Sequence, residues 1–240
     1  MYALKANFYP AQDPKAGYIG KADITVANAV RLNNISVFEK DGAYHIDFAK
    51  FGKEGNERSY IIPSSKEAYA AMVDVIAKAV ADEKHFGYTR GDLGVHLEVN
   101  GALVNEPYAD GRFSVAVGEL CTLNGICTRV VPYEKDGQDS SFVSVDLPVV
   151  PGADGKAQTW TDKEGEKQVN HQFECLPVTW KDKEGKEQKA DYERILTGKV
   201  LAKRKHLMEP SLDEKIAEGK AQVAGTEKAA DAPAKEEQAR

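Results

Sequence analysis

Apolar and polar positions begin to alternate at Lys21. Ala22, Ile24 and Val26 fall on one side of the chain and Asp23, Thr25 and Ala27 on the other. A period of two marks a half-buried strand. Val30 and Leu32 lead into a β-branched run at 35–38, and Glu39-Lys40-Asp41-Gly42 reads as a hairpin turn, since Asp-Gly supplies the positive φ angles such turns need. Tyr44, Ile46 and Phe48 alternate again, with His45 and Asp47 opposite. A charged, Gly-containing loop at 50–58, a strand at 59–62 and Pro63 follow. Ser64-Ser65-Lys66-Glu67 then offers a helix N-cap. Tyr69, Met72, Val73, Ile76 and Val80 recur at the three-and-four spacing of one helical face. This predicts a helix over 68–84, its stripe packed on the sheet or open to a partner helix. Ahead of this block, 2–9 reads as a short strand, and Pro10, Pro14 and Gly17 punctuate a loop. Residues 85–110 read as a connection, with extended pieces at 95–99 and 103–104 around an Asn100-Gly101 turn.

The same order of elements returns. Phe113-Ser114-Val115-Ala116-Val117 echoes Ala22-Asp23-Ile24-Thr25-Val26, and Leu123-Asn124-Gly125-Ile126 stands 91 residues after Leu32-Asn33-Asn34-Ile35. Glu134-Lys135-Asp136-Gly137 repeats the earlier turn. Phe142 to Val145 alternates, Cys175-Leu176-Pro177 matches Ile61-Ile62-Pro63, and Tyr192, Ile195, Leu196 and Val200 supply a closing helix. Recurrence of order, turn chemistry and element type together indicates duplication. A smaller repeat lies inside the second copy. Thr159-Trp160-Thr161-Asp162-Lys163-Glu164-Gly165 is matched by Thr179-Trp180-Lys181-Asp182-Lys183-Glu184-Gly185, each a strand end running into a charged turn. Long ordered insertions of this kind tend to be functional.

The expected class is α+β: two tandem domains, each an antiparallel sheet followed by a helix. The expected boundaries are 1–87 for the first copy, 88–110 for the connection, 111–207 for the second copy with its hairpin insertions, and 208–240 for a disordered acidic tail rich in Ala, Glu and Lys.

Charge narrows the function. Residues 1–87 carry 11 basic and 11 acidic side chains, 88–207 carry 16 and 19, and 208–240 carry 5 and 8. No part is basic overall, so the footprint of a strong duplex-DNA binder is missing. The apolar runs are too short to span a bilayer, and the start lacks the order of a signal peptide, which makes the cytoplasm the expected location. Cys121, Cys127 and Cys175 form no C-x-x-C pair and have no neighbouring histidine. They read as reduced thiols on strands, with a Cys121–Cys127 redox pair as the alternative. Neither a metal nor a cofactor is expected.

The stretch ADITVANAVRLNNISVFEKDGAYHIDFAKF, the loop GKEGNERS and then YIIPSSKEAYAAMVDVIAKAV resemble the SpoVG (stage V sporulation protein G, septation regulator) family. In the second copy Phe142-Val143-Ser144-Val145-Asp146-Leu147-Pro148 is similar to the family strand that ends in Met-Pro. The resemblance implies small bacterial or phage-borne regulators that dimerise, bind nucleic acid and use no cofactor. It places the family's basic loop at 51–58, where Lys53 and Arg58 are basic with Lys50 just before. In the second copy the counterpart, 149–155, has no basic residue, Lys156 being the next.

Candidate nucleic-acid contacts are therefore Lys50, Lys53 and Arg58 in the loop, which could meet phosphates. Lys199, Lys203, Arg204 and Lys205 form the densest basic cluster. Trp160 and Trp180 could stack on unpaired bases. Against these stand a solvated loop, a helix-terminal charge run and cross-strand packing of paired aromatics. His45 with Asp47 lacks a nucleophile, Arg90-Gly91-Asp92 is a three-residue coincidence, and no P-loop, G-x-S-x-G or H-E-x-x-H motif occurs. No catalytic residue is expected. The partner is single-stranded DNA or RNA, or else another protein bound by an adaptor or inhibitor on the same scaffold. No membrane is involved. A homodimer and a pseudo-dimer within one chain are both open.

Overall fold

The computed structural model describes residues 4–81, 87–89, 103–181 and 184–209. The extended piece at 95–99, the Asn100-Gly101 turn, Arg90-Gly91-Asp92 and the tail beyond 209 lie outside the described residues. In chain order the first half contributes β1 (Leu4–Lys15), β2 (Tyr18–Val26), β3 (Val30–Lys40), β4 (Ala43–Asp47), β5 (Lys50–Phe51), β6 (Arg58–Ser59), β7 (Ile61–Pro63), α1 (Lys66–Ala81) and β8 (Gly87–Thr89). The second contributes β9 (Leu103–Val104), β10 (Phe113–Val117), β11 (Cys121–Lys135), β12 (Gln138–Asp146), β13 (Thr159–Thr161), β14 (Lys167–Val169), β15 (Phe173–Cys175), β16 (Pro177–Lys181), β17 (Glu187–Asp191) and α2 (Tyr192–Met208). The chain divides into two compact units, Met1–Leu201 and Ala202–Arg240, and among the described residues every sheet lies in the first. The class is α+β with antiparallel sheets.

The expected loop at 10–17 is instead a hairpin. β1 runs through Pro10 and Pro14 to Lys15, with a register shift there, and Ala16 and Gly17 turn the chain at positive φ. Pro10 stands in the last regular ladder pair, opposite Gly20, and Pro14 lies in the irregular stretch beyond it, so both sit at the end of the ladder.

Each half completes the other's sheet. One edge of β3 is covered by β2, the other first by β15, at Val30–Leu32, and then by β4. β11 repeats this, with β10 on one edge, and β7 at Cys121–Leu123 and then β12 on the other. The exchange is reciprocal bond by bond. The Ser64 N–H donates to the Leu120 carbonyl at 2.9 Å, and the Leu176 N–H to Ala29 at 2.7 Å. The Asn124 N–H donates to Tyr60 at 2.7 Å, and the Asn33 N–H to Gln172 at 2.9 Å. These pairs set Ile61 against Leu123 and Phe173 against Leu32. The structural counterpart of Ile61 is therefore Phe173, two residues before the Cys175 that sequence similarity suggested. Pro177, which resembles Pro63, already opens the extra hairpin β16–β17.

The Leu-Asn-x-Ile echo is a β-bulge in each half. Asn33 and Asn34 oppose the one residue between Ala22 and Ile24, and Asn124 and Gly125 the one between Phe113 and Val115. The second bulge residue takes the left-handed conformation, φ 58° at Asn34 and 85° at Gly125, open to Asn and Gly at least strain. The two sites differ in how their space is filled. A Cβ on Gly125 would stand 2.9 Å from the Tyr60 ring. In the other half Gln172 replaces Tyr60, and Asn34 Nδ2 donates to its Oε1 at 3.4 Å.

The helices repeat too. Ala68, Met72 and Ile76 are buried on α1, and Tyr192, Leu196 and Val200, each 124 residues on, are buried on α2. Ser65 Oγ caps α1 by accepting from the Ala68 N–H at 3.0 Å, and Asp191 Oδ1 caps α2 by accepting from Arg194 at 3.1 Å. Buried side chains of both halves join in one core cluster.

Candidate functional site

The basic loop and the Trp160 hairpin occupy equivalent places. Lys50 pairs with Ser59 in one half, and Val149 bridges to His171 in the other. The second-half counterpart of 51–58 is thus the whole segment 150–170, longer than the 149–155 expected, and it carries β13 and β14. Lys50 and Lys53 are exposed. Arg58 is half-buried, its guanidinium 4.1 Å over the Tyr108 ring, a cation–π contact. Arg112 lies 4.9 Å over Phe51, which itself packs on Tyr60 at 4.7 Å. Arg58 therefore helps to build a cationic–aromatic cluster, and sequence spacing could not show this because Tyr108 lies 50 residues away.

Trp160 stands on β13 opposite Gln168, 53% exposed. Asp162 builds its turn, accepting from the Glu164 N–H at 3.0 Å, the Glu166 N–H at 2.9 Å and Gln168 Nε2 at 2.8 Å. Those bonds, Gln168's first, hold its carboxyl below the usual range. Trp180 lies on β16 opposite Gln188, the same register moved on by 20 residues. The smaller repeat is thus a pair of hairpins. The two tryptophans belong to separate two-stranded sheets and do not pair across strands.

On α2, Lys199, Lys203 and Arg204 are half-buried and Lys205 is exposed. At the same 124-residue spacing they answer to Val75, Ala79, Val80 and Ala81. Lys199 and Lys203 thus continue the stripe of Leu196 and Val200, and the cluster does not present one exposed basic face. His45 and Asp47 are both exposed on β4.

Cys121 and Cys127 lie six residues apart on one strand, about 20 Å at 3.3 Å per residue. That is beyond disulfide reach and removes the redox pair. Burial pushes the Cys121 thiol up to about 12, and the Cys175 thiol is raised equally by burial, then by Glu193, Asp191 and Glu174.

Sequence reading missed an exposed aromatic pair. β11 and β12 run beyond the sheet as a two-stranded arm, because β10 follows β11 only as far as Ile126. Val130, Tyr133 and Phe142 are exposed on it, the last at 53%, and the Tyr133 and Phe142 rings pack 5.9 Å apart. The signal was the polar run Gln138 to Ser141 beside Phe142, which interrupts strand alternation. By register Arg129, Lys135 and Asp146 share the face of Tyr133 and Phe142, while Glu134 and Asp139 share that of Val130. With Asp136 in the turn, the arm as a whole carries two basic and four acidic side chains.

Among the described residues no group of His, Cys, Asp and Glu could hold a metal, and no helix is long and apolar enough to cross a membrane. Compared with protein-family models, curated proteins and solved structures, the chain gives no match in any of the three.

Proposed function

We propose that the chain is a non-enzymatic, cytoplasmic binding protein in which two tandem SpoVG-like copies pair within one chain, and that its partner is another protein. The observation that carries this is the arm. Tyr133 and Phe142 form a contiguous exposed apolar pair, on an arm that carries four carboxylates and two cations over its two faces. The net negative charge of the arm as a whole disfavours phosphates and favours a basic protein surface. An adaptor or inhibitor acts through such a surface without chemistry of its own.

A nucleic-acid partner is the second reading, favoured by the exposed Trp160 indole and by Lys50 and Lys53 on the equivalent loop of the other half. One experiment separates the two. A photoreactive benzoylphenylalanine is placed at position 142 or 160 in cells that make the protein, and adducts are treated with nuclease or protease. The expected result is a nuclease-resistant protein adduct at 142. A nuclease-sensitive adduct, together with saturable binding of labelled single-stranded DNA or RNA at physiological ionic strength, would overturn the proposal. Binding of that kind should then weaken by about 1–3 kcal/mol per stacked base in Trp160→Ala and Trp180→Ala.

A further inference from the structure

In the first half a side chain closes the outer edge of β4. The Tyr69 hydroxyl accepts from the Ile46 N–H at 3.1 Å and donates to the Ile46 carbonyl at 3.1 Å. Both groups therefore face away from β3. Val145 is the counterpart of Ile46, since Thr128 opposite Val145 repeats Val37 opposite Ile46. Backbone groups alternate in direction along an antiparallel strand, so Ser141, Val143 and Val145 turn theirs to the outer edge of β12. Pro132, opposite Ser141, fits this phase because it has no N–H to exchange. It also leaves a gap in the donors along the far edge of β11. Among the described strands, none but β11 pairs with β12.

The position of Tyr69 is taken on α2 by Glu193, by the same 124-residue match of buried faces. No ring fills the space, and a cleft of about 420 Å³ opens beside Val145, lined also by Arg129, Asp146, His171, Glu174 and Glu193. Asp146 is bound by Arg129 at 2.6 Å, and Glu174 accepts from Asn33 at 2.8 Å. Glu174 is also held by Arg31 at 3.6 Å, so three carboxylates stand against two guanidiniums and the cleft is net negative.

We infer that the outer edge of β12 at 141–145, with this cleft, is a strand-addition site for an extended peptide segment whose Lys or Arg side chain enters the cleft. Main-chain bonds to the edge would supply affinity, and the cleft with Phe142 would supply selectivity. A second copy of this chain pairing through β12 is disfavoured as occupant, because β12 carries Asp139 and Asp146 and no Lys or Arg to enter the cleft. The inference rests on the reading that the partner is a protein.

The test is to pan a random peptide library against the full chain. Recovered peptides should carry Lys or Arg within an extended apolar run. Their amide-exchange protection should fall on 139–147. Glu193→Tyr, which rebuilds the first-half closure, should raise Kd at least about tenfold, and N-methylation of alternate peptide amides should abolish binding. No recovered peptide, or binding indifferent to both changes, would overturn the inference. Peptides that bind but protect only the Tyr133 region would sink the edge site while leaving the protein-partner reading in place. Saturable oligonucleotide binding competing with them would sink that reading itself.

Discussion

Phe173→Ala should lower unfolding free energy by about 3–5 kcal/mol, a large share of the roughly 5–15 kcal/mol that holds a domain folded. Phe173 is fully buried on β15, a strand of only three residues that pairs with Leu32 of the other half. Its ring anchors that strand in the shared core, and an alanine there leaves a cavity where two halves meet. Urea unfolding followed by circular dichroism would show the midpoint fall, and Ile61→Ala, the counterpart on β7, should follow with about 2–5 kcal/mol. Trp160→Ala, on an exposed hairpin, should stay within about 0.5 kcal/mol. If Phe173→Ala unfolded at the midpoint of the unmodified protein, β15 would not be an integral strand of the first-half sheet.

Asn124→Ala should cost about 1–3 kcal/mol, the penalty for leaving the groups it binds without their partner. Asn124 is fully buried. Its Nδ2 donates to the Ser59 carbonyl at 2.9 Å, across to the other half, and its Oδ1 accepts from the Tyr108 hydroxyl at 2.9 Å. Asn33 makes the reciprocal bond, donating to the His171 carbonyl at 3.0 Å. Its own Oδ1 is buried without a partner, and its second acceptor, Glu174, is partly exposed and can turn to water. Asn33→Ala should therefore cost less than Asn124→Ala. The same denaturation series gives both values, and the reverse order would contradict this reading of the clamps.

The repeated turns and bulges were legible because turn chemistry is local. Asp41-Gly42 and Asp136-Gly137 declare their hairpins by themselves, and the Leu-Asn-x-Ile echo marks both bulges. The exchange of strands was not legible. β7 and β15 have three residues each, too few for periodicity, and their partners lie 58 to 145 residues away along the chain. Chemical likeness then misplaced the register, because Cys175-Leu176-Pro177 looks more like Ile61-Ile62-Pro63 than Phe173-Glu174-Cys175 does. The arm was hidden for a related reason. Nothing in the apolar run Val130, Val131 and Tyr133 shows that β10 ends early and leaves Val130 and Tyr133 exposed. The basic cluster on α2 misled in the opposite sense, since charge alone does not show which helical stripe carries Lys199. Arg58 needed Tyr108, a non-local partner, to be seen as part of a stack.

The central claim is that the two halves complete each other's sheets within one chain. It is tested most directly by a protease site inserted in the connection at 92–96 and cut in the folded protein. The halves are predicted to stay together on size-exclusion chromatography and to part only in denaturant, with neither refolding alone. Separation into two independently folded fragments in native buffer would contradict it.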